Sequence, residues 1–225
     1  MSGDITTMPG AGAEVRIPPS LRGDPVWALA TLFPTQGEWT EDDYFQLETR
    51  HFIELTDGCI EILPMPTWLH QRIVAFLYEQ FASWCASHRR GEALFAPLPL
   101  RLFSGTIREP DLLVVERPAA GAGAPGSENA RQKYPSSAIL VVEVVSDSPE
   151  SRQRDFLDKR RDYARAEIPE YWIVDPDQRL ITVLSLAGTQ YLEHGRFGGG
   201  TAATSRVLNQ FSVRTDDVWA LCSNH

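Results

Sequence analysis

The run Ala138-Ile-Leu-Val-Val-Glu143-Val-Val145 decides how this chain is read. It is apolar throughout except at Glu143. A continuous apolar run, unlike an alternating one, marks a strand covered on both faces. Downstream, Ser146–Ser151 reads as a loop with cap-forming residues, and a charged helix is expected from Arg152 to about Ala166. Glu170-Tyr-Trp-Ile-Val-Asp175 then reads as a strand, and Pro176-Asp177 turns it into another at Leu180–Leu186. Short strands and a last turn of helix should follow. Upstream, Glu109-Pro110-Asp111-Leu-Leu-Val-Val115 and Ala93–Arg101 read as strands, and 117–133 as a flexible loop.

Before these, Leu69, Ile73, Phe76, Leu77, Phe81 and Trp84 recur at three- and four-residue spacing, which predicts an amphipathic helix over Thr67–His88 ended by Gly91. His51–Leu63 reads as a hairpin turned by Asp57-Gly58, a pair that tolerates the positive φ such turns need. Alternation puts Phe52, Glu54, Ile60 and Ile62 on one face of it. Thr40 caps a short helix running to about Glu48. Residues 1–25, rich in Gly, Pro and small polar residues, read as a disordered tail. The order of elements predicts one α/β or α+β domain over 26–225, a mixed sheet flanked by helices.

The composition is that of a globular protein, with 43% hydrophobic and 23% charged residues. No apolar run reaches the roughly 20 residues that span a bilayer, and the start has no secretory h-region. Cys59, Cys85 and Cys222 are scattered without ligand spacing, which suggests reduced thiols and a cytoplasmic setting. The net charge of −9 opposes any bulk grip on phosphates. A nucleic-acid partner would need a local basic surface, or cations that offset clustered carboxylates.

Glu143 is the sharpest local signal, because an ionised carboxylate inside such a strand costs several kcal/mol unless it is paired or coordinated. It either pairs with an arginine of the next helix or belongs to a site. Asp111 opens another apolar strand, either fixing a turn or facing Glu143. Together the two would form an oxygen-rich pocket for a hard cation such as Mg²⁺ or Mn²⁺, with the Val144 or Val145 carbonyl as a further donor. Asp155, Lys159 and Tyr163 fall four residues apart, on one helix face. They make either a solvated ion pair beside a packed Tyr, or a lysine aimed at the Glu143 strand. Glu54 is a third acid near the metal or a cross-strand partner. His70, at a helix start, caps the helix, binds phosphate or lines the site. The arginines at 152, 154, 160, 161 and 165 are interspersed with acids and read mainly as exposed ion pairs. There is no phosphate-binding glycine loop with its lysine, and no Gly-x-Ser-x-Gly.

These residues resemble the PD-(D/E)XK nuclease superfamily, which places a carboxylate after a proline and Glu/Asp-x-Lys on the next strand. Here those are Pro110-Asp111 and Glu143-Val144-Val145, with valine where the lysine is expected. The chain is more closely similar to the Uma-type branch of restriction-endonuclease proteins. That branch has Glu-x-x-Asp-Gly in a hairpin (Glu54–Gly58), an early helical His (His70), Ser after the strand glutamate (Ser146), Asp-(x)3-Lys-(x)3-Tyr (Asp155, Lys159, Tyr163) and Glu-Tyr-Trp (Glu170–Trp172). The likeness runs from about residue 40 to 220. It implies a restriction-endonuclease-like fold and metal-dependent DNA cleavage by Asp111, Glu143 and a migrated Lys159. The rival readings are an inactive member that binds DNA or protein, and a metal hydrolase acting on something else. An exposed edge strand and an apolar C-terminal segment would allow a homodimer.

Overall fold

The computed structural model describes residues 33–47, 49, 51–116, 134–146 and 148–222. The expected tail at 1–25, the loop at 117–133 and the end of the first helix at Glu48 lie outside them. In chain order the elements are α1 (Glu41–Gln46), β1 (Ile53–Thr56), β2 (Cys59–Ile62), α2 (Trp68–His88), β3 (Glu92–Phe95), β4 (Leu100–Phe103), β5 (Thr106–Arg108), β6 (Leu112–Val115) and β7 (Leu140–Val144). Then come α3 (Pro149–Gln153), a π-helical turn (Arg154–Asp158), α4 (Lys159–Arg165), β8 (Glu170–Asp175), β9 (Leu180–Ala187), β10 (Gln190–Phe197), β11 (Ala202–Thr204), β12 (Ser212–Arg214) and α5 (Thr215–Ala220). They group into two compact units. The first runs to Pro64 and takes in Ser104–Ile107; the second holds Met65–Phe103 and Arg108 onward.

In the first unit, Thr40 and Asp43 form a reciprocal capping box at the start of α1. Asp57 and Gly58 both take positive φ, 48° and 76°, as a two-residue hairpin turn requires. A Cβ on Gly58 would meet the Gly37 carbonyl oxygen at 2.5 Å, so glycine is needed there twice over. The turn fixes the register Ile53↔Ile62, Glu54↔Glu61 and Leu55↔Ile60. Directly opposed residues share a face. Glu54 therefore does not share one with Ile60 and Ile62, as strand alternation alone suggested. Ile53 and Leu55 share that face, and they pack with Tyr44 and Ile107 into a small core. Glu54 occupies the other side and is fully buried.

The second unit is built on a six-stranded sheet in the order β10-β9-β8-β7-β6-β3. Only β7 and β8 run parallel, so the sheet is mixed. Every residue of β7 is buried, as its apolar run demands. Alternate residues serve opposite layers. Leu140, Val142 and Val144 face a core with Ile73, Leu77 and Phe81 of α2. Val141 and Val145 face Tyr163, Tyr171 and Ile173. Parity thus sends Glu143 toward the α4 layer.

Three boundaries differ from the sequence expectation. The single strand expected over Ala93–Arg101 is two, β3 and β4, because Pro97 and Pro99 cannot donate to a ladder. The C-cap of α2 is Arg89 in the left-handed region (φ 51°) rather than Gly91. Gly91 instead lets the chain pass β6, where a Cβ would sit 2.9 Å from the Val115 carbonyl oxygen. The helical segment begins at Pro149 and changes pitch in the middle.

Val218 and Trp219 pack into the core of their own unit. No helix among the described residues is long and apolar enough to cross a membrane.

Glu170, fully buried, ties the loop before β12 to the sheet. Its carboxylate accepts from Trp172 Nε1 (2.7 Å), Ser205 Oγ (2.7 Å), and the Arg206 and Val207 backbone N–H groups (2.6 and 3.2 Å). Glu170→Ala strands these donors, and we expect it to cost about 2–3 kcal/mol in urea unfolding. An unchanged midpoint would mean that water replaces the carboxylate without loss.

Candidate active site

Asp111 stands one residue before β6, after Pro110. The β6–β7 register pairs Leu112 with Val142, and Asp111 lies one residue before that pair, beside the end of β7. Asp111 Oδ2 accepts the Val144 N–H at 2.7 Å and lies 3.1 Å from His70 Nε2. This holds the carboxylate against the backbone of the residue that follows Glu143. Asp111 keeps 19% of its side chain exposed, whereas Glu143 and Lys159 keep 3% each. The site therefore meets solvent on the aspartate side.

Lys159 enters from α4. Its Nζ lies 2.9 Å from Glu143 Oε1 and 3.7 Å from Asp155 Oδ1. Tyr163, one turn on, donates its hydroxyl to the same Glu143 oxygen at 2.6 Å. A lysine is absent from position 145, where the strand carries a buried valine; the ammonium reaches the strand glutamate from the helix instead. The helix does not do this with regular pitch. The Lys159 N–H bonds to the Arg154 carbonyl, five residues back, and closes the π turn that contains Asp155. Such turns re-aim the side chains that follow them and occur often at functional sites.

His70 sits in the first turn of α2, where Thr67 Oγ1 accepts its backbone N–H at 3.2 Å. The ring is 8% exposed. Burial alone would lower its pKa. The hydrogen bond and charge of Asp111, the charge of Glu143 and the Val144 carbonyl outweigh that, and the net shift is upward. Its Nδ1 is buried with no hydrogen-bond partner among the described residues.

The structure thus gathers Asp111, Val144 and His70 on one side of the β7 end, and Glu143, Lys159, Asp155 and Tyr163 on the other. Glu54 belongs to the first unit.

Two supports of the site carried weaker signals in the sequence. Tyr171 donates its hydroxyl to the Asp155 carbonyl at 2.7 Å and meets the Tyr163 ring edge-on at 5.1 Å. Its own pKa is pushed well up by burial and by the charges of Glu143 and Asp155. Arg108, 3% exposed, donates from Nε (3.2 Å) and Nη2 (2.6 Å) to Asp162 Oδ2 on α4. An arginine between Ile107 and Glu109 in a short strand was the available hint. The helix is correspondingly less solvated than its interspersed charges implied, since Asp155 and Asp162 are both buried. Exposed pairing describes Arg161 with Asp158, but not Arg154, whose side chain is 12% exposed beside Asp155.

No three His, Cys, Asp or Glu side chains among the described residues are grouped to cage a metal ion. A magnesium-like ion keeps several waters and takes only one or two carboxylates from protein. Asp111 and Glu143, near the adjoining ends of β6 and β7, together with the Val144 carbonyl are donors of the kind such an ion takes.

A family model described as "Putative restriction endonuclease" (Uma2) matches residues 41–216. Among solved structures, the chain resembles one titled "a putative nuclease belonging to DUF820" from Anabaena variabilis. The two share 18% identity, with a TM-score of 0.60 over 81% of this chain and 98% of that one. This likeness establishes the restriction-endonuclease-like fold. No curated protein matches the chain.

Proposed function

The chain belongs to the Uma2 family of restriction-endonuclease-type proteins, and from that premise we propose that it is a metal-dependent DNA endonuclease. The observation that carries this reading is the buried contact of Lys159 Nζ with Glu143 Oε1, 2.9 Å, beside an aspartate that faces solvent. A buried lysine from the following helix ends on the strand carboxylate, which supports reading Lys159 as a substitute for the lysine missing from position 145.

In this proposal Asp111 and Glu143 hold Mg²⁺ or Mn²⁺ with the Val144 carbonyl. When bound, the ion acidifies a water and offsets charge that builds on the scissile phosphate. The protein groups do the rest. His70 and the Val144 N–H fix the rotamer of Asp111, so that the carboxylate is oriented before substrate arrives. The Tyr163 hydroxyl does the same for Glu143. Lys159, 2.9 Å from Glu143 and 3.7 Å from Asp155, would donate to the attacking water and neutralise charge in the transition state. The substrate's phosphates approach from the Asp111 side, where the site opens. A net charge of −9 makes that approach depend on the cation and on local basic groups.

The test is cleavage of supercoiled plasmid by the purified chain. We expect nicking or linearisation with Mg²⁺ or Mn²⁺, none in excess EDTA, and a loss of about 10²-fold in Lys159→Met. Intact plasmid with every divalent ion tried, or undiminished cutting by Lys159→Met, would refute the proposal.

A further inference from the structure

We propose that Tyr171 is a positioning residue: its hydroxyl holds the π turn of Arg154–Asp158 in shape, and that turn keeps Lys159 aimed at Glu143. This deepens the nuclease reading, and rests on it for the use to which Lys159 is put.

One hydrogen bond of the helix is displaced. At α pitch the Lys159 N–H would donate to the Asp155 carbonyl, four residues back. Here it donates to the Arg154 carbonyl, five back. The Asp155 carbonyl is met from the sheet instead, because Tyr171, fully buried on β8, donates its hydroxyl to it at 2.7 Å. The hydroxyl therefore stabilises the π arrangement over the α one, in which Lys159 would already serve that carbonyl. Burial and the charges of Glu143 and Asp155 push the Tyr171 pKa well up, so the phenol keeps the proton it donates.

The helices on either side of the turn are each tied down. Arg152 of α3 pairs with Asp175 at the end of β8. On α4, Asp162 pairs with Arg108, and Tyr163 donates to Glu143. A π turn holds one residue more than an α turn, and one residue is about 100° of rotation about the helix axis. Relaxation to α pitch would rotate α4 against α3 by about that angle. Lys159 could not then keep its 2.9 Å contact with Glu143 while every anchor held.

Tyr191 provides the comparison. It is 4% exposed and donates its hydroxyl to the Ile168 carbonyl at 2.7 Å, beyond the end of α4 and away from the turn. A hydroxyl with a purely structural role should behave like that one.

The test sets Tyr171→Phe against Tyr191→Phe in the full chain, since each keeps its ring and loses one buried hydroxyl. Lys133 and Lys159 are the only lysines in the sequence, so ¹³C-lysine labelling gives a two-residue spectrum in which Lys159 is followed directly. In Tyr171→Phe, kcat for plasmid cleavage should fall about tenfold to 10²-fold while KM changes by less than about twofold. The Lys159 signal should move toward that of an unpaired lysine. Tyr191→Phe should lower the melting temperature by a similar amount and leave kcat and the Lys159 signal in place. Deletion of Leu157, which lies in the turn and is 62% exposed, makes the bond from Lys159 to Arg154 an ordinary α-helical one. In that background Tyr171→Phe should change neither kcat nor the Lys159 signal. Recovered folding there gives the same answer if Tyr171→Phe alone unfolds. Wild-type kcat with an unmoved Lys159 signal in Tyr171→Phe, equal losses of kcat in the two tyrosine variants, or an undiminished loss in the deleted background would each overturn the role of Tyr171. No cleavage by the wild-type chain would refute the nuclease reading alone, and the Lys159 signal would still decide whether Tyr171 aims the lysine.

Discussion

Glu143→Gln is expected to lower plasmid cleavage by about 10³-fold or more and to destabilise the protein at the same time. The amide keeps the volume of the side chain and can still accept from the Tyr163 hydroxyl, but it no longer carries charge. That removes a proposed metal ligand and the nearest counter-ion of Lys159 in one change. The ammonium, 3% exposed, then keeps only the longer 3.7 Å contact to Asp155 among the acids it is seen to pair with. Leaving one member of a buried pair uncompensated costs about 3–5 kcal/mol. Lys159→Met should cost a similar amount for the mirror reason. In the double variant the two losses should fall short of their sum by about 1–3 kcal/mol, which is the coupling between contacting groups. Urea unfolding of the four proteins measures that difference, and the plasmid assay on the same samples measures cleavage. Full activity in Glu143→Gln would eliminate the proposed site whatever the stability data showed.

The same conflict between charge and burial is why Glu143 stands out in the sequence. A lone carboxylate in Ala138–Val145 conflicts with the rest of its strand, and such conflicts concentrate where function requires them. The same argument fails for residues whose environment is decided by register. Glu54 lies in a hairpin of ordinary alternation, and only the two-residue turn, which pairs it with Glu61, reveals that it leaves the face of Ile60 and Ile62. Asp155, Lys159 and Tyr163 were correctly seen as a spaced set, yet their i, i+4 pattern is equally that of a solvated helix. What buries them is the parity of β7, which turns Glu143 toward α4, together with a π turn that no local preference announces. The split of Ala93–Arg101 was legible, since prolines at 97 and 99 already forbade one continuous ladder. Of the residues that hold α4 in place, Arg108 was overlooked because it sits outside every motif. Its partner Asp162 reads in the sequence as one more acid on a charged helix.

That pair carries the second large prediction. Asp162→Ala should destabilise the protein by about 3–5 kcal/mol, because it strips the Arg108 guanidinium, 3% exposed, of the oxygen to which both Nε and Nη2 donate. For a chain of this length that corresponds to a fall in melting temperature on the order of 10 °C. The exposed Arg161, which also approaches Asp162 at 3.4 Å, contributes little, since its side chain is 69% exposed and solvent screens it. Arg161→Ala should therefore shift melting by no more than a degree or two, within the usual range for an exposed pair. The contrast with Glu143 lies in the chemistry. Asp162 is one residue before Tyr163 on α4, but it faces Arg108 rather than Glu143, so well below its lowered melting temperature the Asp162→Ala protein should still cut plasmid in a metal-dependent way. Scanning calorimetry and cleavage at low temperature, done on the same preparation, separate the two roles. A variant that melts like the wild type would show that the Arg108–Asp162 pair is exposed to water in solution. One that is folded and wholly inactive would move Asp162 from the scaffold of the site into the site itself.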